Sequence, residues 1–98
     1  MQIQHLRTFV TVARSGSFQS AAARLAYSQA AVSAHIAALE RDLGGRLLER
    51  SRSQLAPTGL GEWLLPRAEV VLAEFDAISC AAVRVTGGDG SRVGAPVV

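Results

Sequence analysis

From Thr58 to Val85 an apolar stripe runs through Leu65, Ala68, Leu72, Phe75, Ser79 and Ala82, in alternating steps of three and four residues. That alternation is the seam of a coiled coil, and Leu64, Val71, Ile78 and Val85 widen it at seven-residue spacing. The pattern predicts one helix over residues 59–86, roughly 28 residues and ~40 Å long at 1.5 Å per residue. A chain of 98 residues holds one small core, which cannot cover such a face along its length. The helix therefore needs a partner, and a second copy is expected to pair through Leu64, Leu65, Ala68, Val71, Leu72, Phe75, Ile78 and Ala82. Pro66 deletes one backbone bond inside it and is expected to bend or loosen it there. Trp63 is expected to anchor the helix where it leaves the body. Residues 87–98, opening with Gly87-Gly88-Asp89-Gly90-Ser91, read as a flexible tail.

The front of the chain has a different rhythm. Ile3, Leu6, Phe9, Val10 and Ala13 mark an amphipathic helix that Ser15-Gly16-Ser17 ends. Ser17 can cap a short second helix with Phe18, Ala22 and Leu25 inward, and Ser28 can cap a third with Val32, Ile36, Leu39 and Leu43 inward. Gly44-Gly45 stops that third helix. Between Leu47 and Thr58 the helical period disappears, and Arg50-Ser51-Arg52-Ser53-Gln54 followed by Leu55 and Pro57 reads as a short polar hairpin. The expected fold is mainly α: a winged helix-turn-helix of three helices and a two-stranded wing over 1–58, then the long dimerisation helix over 59–86.

Several function classes fall away on composition. No apolar run approaches the ~20 residues that span a bilayer, and Met1-Gln2-Ile3-Gln4-His5 is no secretion signal, so no membrane partner and a cytoplasmic location are expected. Cys80 is a lone cysteine, read as an inert thiol pointing away from the seam, and His5 and His35 are read as structural or surface groups. No nucleophile, base and orienting acid come together and no glycine loop cradles a nucleotide, so neither an enzyme nor a cofactor or metal is expected. All ten basic residues are arginine, a choice equally accounted for by genome base composition. Up to Thr58 seven arginines face three acids (+4), and beyond it three face five (−2), summing to the net +2. A basic front suits a polyanion and an acidic rear a protein partner.

Ser17 to Ser33 has the outline of two helices joined by a tight turn, as in a helix-turn-helix. The outward face of the third helix carries Ala30, Ser33, Ala34, Ala37 and Arg41, with Gln29 in its first turn. So small a face can sink into the major groove, where Gln29 pairs with an adenine edge, Ser33 with several bases, and alanine methyls with thymine. A solvent-facing helix rich in alanine for propensity alone fits the same periodicity.

From Leu6 to about Ala68 the sequence resembles the N-terminal domain of the LysR-type regulators. The resemblance is carried by Leu6-Arg7-Thr8-Phe9, Gly16-Ser17-Phe18, Ala21-Ala22, Arg24-Leu25, Ser28-Gln29, Ala31-Val32-Ser33, His35-Ile36, Leu39-Glu40, Leu43-Gly44, Leu47-Leu48, Arg50, Arg52, Thr58 and Gly61. It implies base reading through Gln29, Ala30, Ser33 and Ala34, backbone or minor-groove contact through Arg50 and Arg52, and phosphate contact from the start of the second helix at Ser17, Gln19 and Ser20, with Ser28 also on the DNA-binding surface. It further implies a linker helix that pairs antiparallel with its counterpart, and an interrupted palindrome in double-stranded DNA to match the two-fold, with tetramers left open. Ala30, Ala34, Leu48 and Pro57 depart from the residues usual in the family, and Ala34 removes a frequent arginine contact. Family members continue into an effector-binding domain, whose first strand Ser91-Arg92-Val93-Gly94 resembles, so this chain is expected to respond to no small-molecule effector. Two rivals stand beside sequence-specific binding: a dimerising interaction module, and a DNA binder without sequence readout.

Overall fold

The computed structural model describes residues 1–51 and 54–86, with side chains through Ala81. Its elements are α1 (Ile3–Ser15), α2 (Phe18–Leu25), α3 (Gln29–Leu43), β1 (Leu48–Ser51), β2 (Gln54–Pro57) and α4 (Gly59–Thr86). This is the winged helix-turn-helix and long helix expected; the tail over 87–98, Arg52, and the side chain of Ala82 lie outside the described residues.

The helices start and stop where the sequence supplies partners for their orphan backbone groups. Ser17 Oγ accepts the Ser20 N–H at 3.0 Å, and Ser28 Oγ accepts the Ala31 N–H at 3.0 Å. Gly16 (φ 81°) and Gly44 (φ 78°) close α1 and α3 in the left-handed region. Ala26, closing α2, holds the same region at φ 58° without being glycine. β1 and β2 pair antiparallel with Leu48 opposite Pro57 and Arg50 opposite Leu55.

Leu6, Phe9 and Val12 of α1, Ala21 and Ala22 of α2, and Val32, Ile36 and Leu39 of α3 form one core, which Leu47 and Leu48 extend toward the wing. Leu64, Ala68 and Leu72 of α4 belong to this core too, at 6, 1 and 7% exposed. Of the residues expected to meet a second copy, these three are covered by their own chain. Leu65 is half-buried against the same core. Two ion pairs fix the arrangement. Arg14 Nη2 meets Glu69 Oε1 at 2.7 Å and Arg7 Nη2 meets Asp76 Oδ1 at 2.9 Å, each backed by a second nitrogen–oxygen contact. The later residue of α1 takes the earlier residue of α4, so the two helices run antiparallel.

Beside and beyond this contact α4 keeps large apolar residues exposed. Val71, Phe75 and Ile78 are 46, 44 and 69% exposed. Trp63 is exposed as well, so it does not anchor the helix to the body. Its indole instead carries the Arg67 guanidinium 4.3 Å from the ring centroid. Arg67 Nη1 also donates to the Trp63 carbonyl at 2.7 Å, one residue from the carbonyl that Pro66 leaves unpaired, and α4 runs on through the proline.

Candidate nucleic-acid interface

The second helix of a helix-turn-helix can read bases only if its first turn stands clear of the body. Here the Ser28 cap starts α3 at Gln29, and Gln29, Ala30, Ser33 and Ala34 are all exposed while Val32, Ile36 and Leu39 face inward. Ser28 and Gln19 are exposed and Ser17 and Ser20 half-buried, the Ser17 hydroxyl being spent on the cap of α2. Arg50 stands exposed on β1. Ser33 of α3 and Arg50 of the wing line one cleft of about 290 Å³, with Phe18, Ile36 and Leu55 in its walls. The candidate reading helix and the candidate backbone grip thus share one concave surface.

The turn before α3 is held by aromatic packing. Tyr27 and His35 meet edge to face with ring centroids 5.0 Å apart, and the His5 ring lies 4.8 Å from His35. Thr8, fully buried, donates its hydroxyl to the Gln4 carbonyl at 2.9 Å and lies 2.9 Å from His35 Nδ1, which satisfies both groups when Nδ1 carries the proton. His35 is therefore a structural brace between α1 and α3. His5 Nδ1 is buried without a hydrogen-bond partner, and burial first, then the neighbouring His35, lowers its pKa from the ordinary 6.5.

The charge asymmetry of the sequence has a different meaning in the fold. Arg7 and Arg14 are bound to acids of α4, so part of the basic excess before Thr58 is cancelled inside the chain. Those hydrogen bonds hold the Asp76 and Glu69 carboxyls below their ordinary range. Among the described residues Arg24, Arg41, Arg50 and Arg67 form no ion pair; Arg67 lies over Trp63, and the other three, all before Thr58, are cations left for a polyanion. The equal spacing of seven from Arg7 to Arg14 and from Glu69 to Asp76 was the available signal for the internal pairing. Among the described residues there is no group of three or more metal-ligating side chains, and no helix is long and apolar enough to cross a membrane.

Comparison with known proteins places this geometry. Residues 3–62 match the family described as bacterial regulatory helix-turn-helix protein, lysR family. A probable hydrogen peroxide-inducible genes activator of Mycobacterium leprae is 42% identical over 80 residues, which are 82% of this chain and 26% of that protein. The transcriptional regulator AbaB of Streptomyces antibioticus is 50% identical over 68 residues, 69% of this chain and 23% of that protein. The chain thus spans about a quarter of the length of these relatives. Among solved structures, the complex of the BenM DBD with catB site 1 DNA superposes with a TM-score of 0.81 at 34% identity, covering 88% of this chain and 96% of that one. Oxidised OxyR of Corynebacterium glutamicum superposes with a TM-score of 0.79 at 40% identity, covering 83% of this chain and 26% of that one. A family match over most of the folded chain, relatives above 40% identity and a shared winged fold lead to one conclusion: the chain belongs to the LysR family of bacterial DNA-binding transcription regulators.

Proposed function

We propose that this chain binds double-stranded DNA sequence-specifically, as a homodimer on an interrupted palindrome, and so regulates transcription. It acts by binding and not by catalysis. The observation that carries the reading is the capped, exposed face of Gln29, Ala30, Ser33 and Ala34, whose Ser33 shares one cleft with Arg50. In the major groove Gln29 offers a donor and an acceptor to adenine, Ser33 a hydroxyl to either partner, and the two alanines methyl contacts to thymine. Arg50 and Arg52 are assigned to the flanking backbone or minor groove, and Ser17, Gln19, Ser20 and Ser28 to phosphate, which sets register without selecting sequence.

The exposed part of the α4 stripe supports the dimer. Val71, Phe75 and Ile78 form an exposed apolar strip beside and beyond the last core residue of α4, Leu72, and their surface stays in water unless another chain covers it. Two-fold pairing there gives two reading helices related by a dyad, which DNA matches with an inverted repeat. The test is binding of the chain, across a salt series, to duplexes carrying an interrupted palindrome and to scrambled duplexes, with a Gln29→Ala, Ser33→Ala double variant alongside. Preference for the palindrome that the double variant loses is the expected result. Equal binding to every duplex, untouched by the substitutions, leaves a backbone binder, and no binding at all leaves an interaction module.

A further inference from the structure

The turn from α3 into the wing is organised by one acidic side chain that the DNA reading does not use. The Glu40 carbonyl accepts the amides of Gly44 at 2.8 Å and Gly45 at 3.2 Å. Its carboxylate reaches onward, Oε2 accepting the Leu47 N–H at 2.8 Å with Arg46 Nε at 3.6 Å. The other side of this segment belongs to α4. The Leu47 carbonyl accepts the Thr58 N–H at 3.0 Å, the Arg46 carbonyl accepts the Thr58 hydroxyl at 2.5 Å, and Thr58 Oγ1 accepts the Gly61 N–H at 3.1 Å. Residues 46 and 47 are thus clamped between the end of the reading helix and the start of the long helix, one residue before β1 begins at Leu48.

We infer that Glu40 is a positioning residue, which sets where the wing, and with it Arg50, stands relative to the reading face of α3. Its side chain is 20% exposed and lines the same cleft as Ser33 and Arg50. A carboxylate beside a path for phosphates opposes binding by its charge, so its use there rests on what it holds. Arg50 is three residues beyond the Leu47 amide in one continuous backbone, and a shift of that amide carries the guanidinium with it. The inference rests on the wing touching DNA, as proposed above.

Two substitutions separate reach from charge. Glu40→Gln keeps an acceptor at the same distance and loses the charge; Glu40→Asp keeps the charge and falls one methylene short of Leu47. The measurement is affinity across a salt series, using the duplex that the 98-residue chain selects from a randomised pool. Glu40→Gln is expected to bind as the parent or slightly tighter. Glu40→Asp is expected to bind about tenfold more weakly, with a salt slope shallower by about one unit for each phosphate that the wing no longer reaches. In an Arg50→Ala background Glu40→Asp adds less than it does in the parent, because one of the guanidiniums it misplaces is already gone. Hydrogen exchange at the Leu47 amide is slow in the parent and in Glu40→Gln and fast in Glu40→Asp. Full additivity with Arg50→Ala, or a glutamine variant as weak as the aspartate one, overturns the inference. A silent Arg50→Ala overturns the wing reading and this inference together; an active Arg50→Ala with a silent Glu40→Asp overturns this inference alone.

Discussion

Gly61 sits in the first turn of α4, where ordinary helix propensity and the surrounding structure make opposite demands. By propensity, replacing a helical glycine with alanine stabilises by roughly 0.8–1.0 kcal/mol in a helix interior, and by less in a first turn. By structure, a Cβ at Gly61 overlaps the Leu47 carbonyl oxygen and lies 3.0 Å from Pro57 Cβ and 3.2 Å from the Leu47 carbonyl carbon. The atoms in the way are mostly backbone and cannot swing aside as a side-chain tip would. Relieving the overlap drives the wing root away from α4 and loosens the Thr58 N–H to Leu47 bond. Forced overpacking costs about 1–3 kcal/mol, and a net hydrogen bond contributes about 1 kcal/mol. Set against the propensity gain, Gly61→Ala is expected to destabilise by about 2 kcal/mol, a drop of roughly 10 °C in Tm for a domain this size. Gly59, at the very start of the same helix, meets nothing within 4 Å of a built Cβ and serves as the control. Gly59→Ala is expected to leave Tm unchanged or raise it slightly. Thermal melts followed by far-UV circular dichroism, at one protein concentration because association shifts Tm, decide the matter. A Gly61→Ala chain that melts at or above the parent temperature would refute the close approach on which the wing-to-helix junction depends.

Three further outcomes are expected. Ala26→Gly, which relieves a left-handed alanine costing roughly 1–2 kcal/mol but adds backbone freedom to the unfolded chain, should stabilise by up to about 1 kcal/mol in urea denaturation. Below pH 6.5 the unfolded chain protonates His5 while the folded chain, with its lowered pKa, resists, so stability falls as pH drops through that window. His5→Gln should flatten that part of the stability–pH curve; a second fall, below 4.5 for Glu69 and 3.8 for Asp76, should persist until each is replaced by its amide. Finally, Phe75→Glu with Ile78→Glu should weaken self-association in sedimentation experiments while leaving the far-UV spectrum intact, whereas Leu72→Glu, which places a charge in the core, should unfold the chain.

Most of the architecture was legible because its determinants are local. Ser17 and Ser28 announce their caps, Gly16 and Gly44 their stops, and Val32, Ile36 and Leu39 their inward face, each within one or two helical turns. The turn at Ala26 gave no such signal, since alanine in the left-handed region leaves no mark on the sequence; Tyr27 and the amides bonded to Ala22 hold it there. Glu40 was visible only as part of a family pattern, because its work is done on an amide seven residues away across a turn. Trp63 illustrates the opposite failure: a large aromatic near a helix start is usually a packing residue, yet here Arg67 on its own helix occupies the ring face and the indole remains in solvent.

The long helix shows how one apolar pattern divides into a buried and an exposed part. Leu64, Ala68 and Leu72 advance by four residues, each step turning the contact by about 40° around the axis. Val71 and Ile78 lie to one side of that arc and Phe75 within it but past Leu72, and all three stay exposed while the first set is buried. α1 is only 13 residues long, and Arg7 against Asp76 lies near its first turn, so α1 has little length left to cover α4 beyond Ile78. A single heptad count over 59–86 cannot see this division, because the buried and the exposed residues of the stripe are equally apolar. The consequence is mechanical: the first half of α4 cannot pivot freely, since moving it exposes Leu64, Ala68 and Leu72 and breaks both bidentate ion pairs. Whatever covers Val71, Phe75 and Ile78 is thereby held at a fixed angle to Gln29 and Ser33, which is the condition a dimer must meet to select DNA half-sites by their spacing.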